Sequence, residues 1–167
     1  MAGPQAVAAQ RQEPRSAGVT ALALASLFGL GYWPIAPGTM GSFATLALAW
    51  LLQHSGASLA VPVLAVLLVP AGIWAAGRVC VQEGDEDPSL VVVDEAVGML
   101  LSLCFLPTGW EIAVAAFLLF RILDITKPWP ANVLESLPGG LGVMADDIVC
   151  GLYTNLLLQI AVAWVVP

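Results

Sequence analysis

The chain is poor in the residues that most soluble catalysts and binding modules rely on. Among its 167 residues there is one histidine, His54, which excludes a histidine-rich metal site. Five lysines and arginines face twelve aspartates and glutamates, a formal net charge of -7, so there is no basic surface for nucleic acid. Cys80, Cys104 and Cys150 lie far apart without a C-x-x-C spacing, which argues against both a disulfide framework and a zinc site. Charge itself is scarce. Only 10% of the residues are charged and 59% are hydrophobic, against about 25% and about 45–50% in soluble domains. With a mean hydropathy of +0.90, the composition is that of an integral membrane protein with room for one domain.

Met1 to Gly18 carries Arg11 and Arg15, lacks an apolar period and reads as a flexible tail, leaving 19–167 as a single membrane-embedded domain. The apolar run Val19–Leu30 is shorter than the ~20 residues that span a bilayer. It reads as an interfacial or re-entrant helix, the alternative being a signal peptide with Ala23-Leu24-Ala25 as its small-residue site. Gly29–Ser42 holds four glycines and two prolines, so it is expected to be a loop with exposed N–H groups. Thr39 and Ser42 add hydroxyls beside the next helix start, which makes this loop either an anion cradle or a plain turn. Apolar helices are expected over Gly41–Gln53, Ala57–Gly77, Ala96–Leu106, Glu111–Ile122 and Ala145–Val166. The fold class is therefore all-α: a polytopic membrane bundle of about five apolar helices, some of them short or re-entrant.

Polarity concentrates in Phe120–Gly151, which holds Asp124, Lys127, Asp146 and Asp147. A charge at the centre of a bilayer costs roughly 2.5–3.5 kcal/mol on insertion scales, so clustered acids there need water, a cation or a polar cavity. Asp94 and Glu95 add a second acidic pair at the start of an apolar helix. Asp94 and Gly98 are i and i+4, as are Asp147 and Gly151, so each carboxylate shares a helix face with a gap where another helix can approach. Two such pairs read as facing halves of one site. Asp85 and Glu86 read as a solvated loop, and His54 as a loop residue. On the residues alone, an ion-coupled transporter and a small structural membrane subunit remain open beside an enzyme.

Four stretches in this order and spacing, GLGYWPIAPGTMGS, DPSLVVVDEAVGM, FRILDITKPWP and GGLGVMADDIVCG, resemble the phosphatidylglycerophosphatase A family of bacterial inner-membrane enzymes. The resemblance runs from about Gly29 to Gly151. It implies a Mg2+-dependent, multi-pass phosphatase of the bacterial inner membrane that converts phosphatidylglycerophosphate to phosphatidylglycerol, with its active site facing the cytoplasm. The positions it carries over are Pro37, Gly38, Thr39, Gly41 and Ser42; Asp87, Asp94, Glu95 and Gly98; Arg121, Asp124, Lys127 and Pro128; and Gly142, Asp146, Asp147 and Gly151. Cys150 departs from the small residue expected there, which leaves the catalytic set untouched. The carboxylates suit the hard cation Mg2+. Asp94, Glu95, Asp124, Asp146 and Asp147 are the expected metal ligands, with Lys127, Arg121, Thr39, Gly41 and Ser42 expected on the phosphate. Asp94, Asp124, Asp147 and Lys127 form the expected catalytic set.

Overall fold

The computed structural model describes residues 17–165, so the first sixteen residues of the expected tail lie outside the described residues. Ala17 is buried and its N–H donates to Gln82 Oε1 at 2.6 Å. The described residues form seven α-helices and one 3-10 turn, with no strand among them. These are α1 (Val19–Ala25), the turn Leu30–Tyr32, α2 (Pro37–His54), α3 (Ala60–Glu83), α4 (Val93–Leu103), α5 (Trp110–Thr126), α6 (Ala131–Leu134) and α7 (Gly140–Val165). Two of them, α3 and α7, are long and apolar enough to cross a membrane.

α3 runs on to Glu83 rather than ending at Gly77, α7 begins at Gly140 rather than Ala145, and α2 begins at Pro37 rather than Gly41. Proline at the first helical position brings its φ preset and gives up an N–H that has no helical partner anyway, so it starts the helix that the Gly/Pro count had placed inside a loop. α3 tolerates Pro62 in its first turn, carries Pro70 in its interior and ends where Gly84 turns left-handed (φ 67°).

The central element is α4. Nine of its eleven residues are buried, and α2, α3, α5 and α7 all pack against it. Its crossing with α7 is a backbone contact. A Cβ on Gly151 would strike the carbonyl of Gly98, and a Cβ on Gly98 would strike the Phe120 ring and come within 2.9 Å of the Asp147 carbonyl oxygen. Glycine on both sides is what lets the two helices approach this closely. On either side of this contact lie apolar layers, Met99, Leu100, Leu103 and Phe120 towards one end and Val79, Val93, Val97 and Met144 towards the other.

α4 is also short. Eleven residues rise only about 16 Å, so its last carbonyls fall inside the bundle and need donors. They find them on neighbouring helices. Gln53 donates to Leu103 O at 3.3 Å, Asn155 to Ser102 O at 3.1 Å and Cys104 O at 2.8 Å, and Gln159 to Cys104 O and Phe105 O at 3.4 Å each. Asn155 and Gln159, the only later polar side chains of size in the last apolar segment, are thus helix caps supplied from α7.

Outside, the bundle is apolar: Phe43, Leu51, Val66, Leu67, Leu118 and Leu156 are all more than half exposed. Inside, acids are buried. The Gly98–Gly151 contact predicts that Gly151→Val forces α4 and α7 apart. Overpacking of this kind costs about 1–3 kcal/mol or more, read as a lower unfolding temperature in detergent, whereas Gly18→Ala, whose new Cβ would meet nothing nearer than 3.9 Å, leaves it unchanged.

Candidate active site

One end of the bundle holds a cavity of about 570 Å3. Six pieces of chain build its wall: the start of α2 (Ala36–Thr39), the loop with Glu86, Asp87 and Ser89, the first turn of α4, the end of α5, the turn that follows α6, and the first two turns of α7. Because α2, α4 and α7 start here while α3 and α5 finish here, residues from sequence positions 36 to 147 meet in one place.

The floor is carboxylate. Asp94, Asp146 and Asp147 are buried, and one carboxylate oxygen from each of Asp94, Glu95 and Asp147 lies within 4.8 Å of the others. Four buried oxygens, Asp94 Oδ1, Glu95 Oε2, Asp146 Oδ1 and Asp147 Oδ2, have no hydrogen-bond partner. Leaving ionised acceptors buried and unpaired is among the costliest arrangements in a protein interior, and crowding like charges adds to the cost. The positive end of α4 offsets a little of this, since Asp94 and Glu95 stand in its first turn. The arrangement suits a hard divalent cation, for which unpaired, converging carboxylate oxygens are the donor set.

Around the whole cavity, eight carboxylates (Glu86, Asp87, Asp94, Glu95, Asp124, Glu135, Asp146 and Asp147) face two basic side chains, Arg121 and Lys127. Arg121 Nη1 pairs with Asp124 Oδ2 at 2.8 Å and lies 3.8 Å from Glu95 Oε1. Its other neighbour is Ser42 Oγ at 3.4 Å, and Ser42 in turn donates to Gly38 O at 2.9 Å. Gly38 leaves room for the Glu95 carboxylate, which a Cβ at this position would displace. The first bond of the α2 ladder runs from Met40 N–H to Ala36 O, which leaves the N–H groups of Gly38 and Thr39 outside the ladder at a helix N-terminus.

Lys127 closes the other side. It takes a left-handed backbone (φ 42°) just past α5, with its N–H on Leu123 O at 2.7 Å. Its Nζ bridges Asp146 Oδ2 at 2.8 Å and Glu135 Oε2. Burial works against its charge, but the hydrogen bonds to Asp146 and Glu135 outweigh that and hold its pKa above the ordinary lysine value. It is a fixed cation in the wall.

Of the residues singled out in the sequence, Thr39, Asp94, Glu95, Arg121, Asp124, Lys127, Asp146 and Asp147 line the cavity. Gly41 and Ser42 do not line it: Gly41 packs against Val92 and Ser42 is wholly buried beneath Arg121. Asp87, named by the resemblance, is on the wall, and so is Glu86, which had read as a plain solvated loop residue. Ser89, Glu135 and Ser136 were not anticipated. The one hint in the sequence was that Glu135 follows Lys127 across the Pro128–Pro130 turn. His54 stands at the opposite end of α2, its ring 3.9 Å from that of Trp50.

Comparison with known proteins gives a consistent picture. A family model described as Phosphatidylglycerophosphatase A matches residues 23–162. A protein of Bacteroides thetaiotaomicron, carrying the provisional name phosphatidylinositol-3-phosphatase, is 43% identical over 83% of this chain and 91% of its own length. Phosphatidylglycerophosphatase A of Escherichia coli K12 is 38% identical over 77% of this chain and 75% of its own, and that of Haemophilus influenzae is 33% identical over 84% and 88%. No solved structure matches.

The crowding of unpaired acids yields a prediction that needs no assay of activity. Asp94→Asn and Asp147→Asn keep side-chain shape and remove one of the clustered charges, so in excess chelator each is expected to unfold at a higher temperature than the parent. The gain is about 1 kcal/mol or more, measured by thermal unfolding in detergent; an unchanged or lower temperature for both would contradict the electrostatic reading.

Proposed function

The chain belongs to the phosphatidylglycerophosphatase A family, and from that premise we infer that it removes the terminal phosphate of phosphatidylglycerophosphate, with the chemistry carried out in the acidic cavity and dependent on Mg2+. The observation that carries the metal-dependent reading is the convergence of Asp94, Glu95 and Asp147, one carboxylate oxygen of each within 4.8 Å of the others, together with a buried oxygen on each that has no hydrogen-bond partner. A dianionic phosphate has no electrostatic reason to enter a wall on which carboxylates outnumber basic groups eight to two, unless divalent charge is already there. Asp94, Glu95 and Asp147 would hold the ion, with Asp124 and Asp146 beside them. Bound there, Mg2+ supplies charge neutralisation, polarisation of the phosphoryl oxygens and a more acidic water.

The protein's own groups do the rest. Lys127 and Arg121 offer N–H donors to the phosphoryl oxygens from the end of α5, and Thr39 and the free N–H groups of α2 offer them from the start of that helix. Asp124 keeps Arg121 in place, and Asp146 with Glu135 keeps Lys127 in place, so these donors are oriented before substrate arrives. In the net reaction a water oxygen joins phosphorus, the bond from phosphorus to the glycerol oxygen breaks, and that oxygen leaves protonated.

The proposed setting is the bacterial inner membrane, with several crossings and the cavity on the cytoplasmic side. Supporting it, Arg78, Arg121 and Lys127 all fall at or towards the cavity end of their helices, where the positive-inside rule puts basic residues. A second headgroup stays in view because the Bacteroides relative is named for phosphatidylinositol 3-phosphate; it too is a phosphomonoester on a polyol.

The test is phosphate release by the purified protein from phosphatidylglycerophosphate, with phosphatidylinositol 3-phosphate assayed in parallel. Activity is expected with Mg2+ and to vanish in chelator, with turnover falling about a hundredfold or more in Asp94→Asn, Asp124→Asn and Asp147→Asn. Lys127→Met is expected to raise the KM for substrate while Mg2+ still binds. Full activity in excess chelator would rule out the metal mechanism, and faster turnover of the inositol lipid would reassign the substrate.

A further inference from the structure

Between α1 and α2 the chain makes a short lip whose construction the phosphatase reading leaves unexplained. Two of its residues other than glycine, Leu27 (φ 45°) and Phe28 (φ 57°), hold left-handed backbones, as does Ala36 (φ 49°) just after it, a region that bulky side chains seldom occupy and that clusters at functional sites. The lip is nonetheless well tied down. Phe28 N–H donates to Ala23 O at 2.6 Å, Gly31 N–H to Ser26 O at 2.9 Å, and Gly29 N–H lies 3.1 Å from Ser26 Oγ. On its inner side Gly31 fits against Leu90 so closely that a Cβ would overlap the Leu90 carbonyl, and Val92 N–H donates to Ala25 O at 2.9 Å.

This anchoring turns large apolar groups outwards. Phe28 is 88% exposed, Ile35 77%, Tyr32 63% and Trp33 51%. The lip also adjoins the cavity on two sides, since Ala36–Thr39 follow it directly and Ser89 and Val91 flank the Leu90 it packs on; all but Leu90 line the wall. On α2 and α3 Phe43, Leu51 and Val66 are exposed as well. No Asp, Glu, Lys or Arg occurs from Ser16 to Gly77. A protein partner would be expected to meet a polar rim, whereas a charge-free face tipped with Tyr and Trp is what the boundary between headgroups and acyl chains selects.

We propose that Leu27–Ile35 is a substrate-docking lip: Phe28, Trp33 and Ile35 contact the acyl-glycerol part of the phospholipid at the bilayer boundary, so that its phosphorylated headgroup reaches over Ala36–Thr39 into the cavity. The proposal rests on the lipid phosphatase reading and adds the surface that selects a lipid over a free phosphate ester. It places recognition of the acyl chains and of the phosphate on different residues, so the two can be separated by mutation.

The experiment compares the parent with the double variant Phe28→Ser, Trp33→Ser, using long-chain phosphatidylglycerophosphate in mixed micelles and its dihexanoyl form as a dissolved monomer. The double variant is expected to raise the KM for the long-chain lipid about tenfold while changing that for the short-chain form less than about twofold. Equal losses on both substrates, or none on either, would overturn the lip. A second measurement does not depend on turnover. The native cysteines are buried, so bimane attached through Phe28→Cys in vesicles reports that position; nitroxide lipids labelled near the headgroup are expected to quench it, and aqueous iodide is not. Iodide quenching without lipid quenching would overturn the proposal, as would light scattering that shows a stable dimer lost in the double variant, since a second copy would then cover this face. A parent inactive on both substrates would contradict the phosphatase reading instead, with the lip still judged by the quenching.

Discussion

Everything in this molecule depends on α4 and α7 meeting backbone to backbone at Gly98 and Gly151. One helical turn before each glycine stands an aspartate, Asp94 on one helix and Asp147 on the other, so the contact that packs the helices also brings the two carboxylates together. The same crossing both supports and strains the fold. Apolar layers on either side of it hold together what the buried like charges push apart. A structure that keeps such acids buried, each with an oxygen left without a partner, spends stability on a site, and a cation at that site would return some of it by mass action.

The shortness of α4 is the second constraint. A helix that stops partway through an apolar bundle leaves carbonyls that water cannot reach, and in a bilayer each one unpaired costs several kcal/mol. Gln53, Asn155 and Gln159 meet that requirement from α2 and α7. Those amides fix how deep α4 sits, and its depth sets where Asp94 and Glu95 stand at the other end. The polar groups of this chain thus have two tasks: amides hold the buried end of α4, while carboxylates and the two basic side chains form the cavity.

Much of this was legible in the sequence because so apolar a chain makes polarity conspicuous. Against an apolar background, Asp94, Glu95, Asp124, Lys127, Asp146 and Asp147 could be picked out singly, and the i, i+4 relation to Gly98 and Gly151 indicated which faces meet. Other parts were not legible. The start of α2 was set too late, since Pro37 both breaks chains and begins helices, and composition does not say which. Ser42 looked like a phosphate ligand because its neighbours do, yet inside a helix its side chain turns back onto Gly38 O and supports Arg121. Glu135 and Ser136 went unnoticed because their role arises from a turn that brings them back over Lys127, at which only the Pro128–Pro130 pair hints in the sequence.

The central claim is that Asp94, Glu95 and Asp147 form a divalent cation site, and metal binding tests it directly. Mn2+ can be titrated into the detergent-purified, metal-stripped protein and followed by the loss of the free-ion paramagnetic resonance signal. The account predicts saturable binding that Mg2+ displaces, that Glu95→Gln and Asp147→Asn weaken by about tenfold or more, and that Glu83→Gln, on the exposed end of α3, leaves unchanged. Equal Mn2+ binding by all four proteins would contradict it.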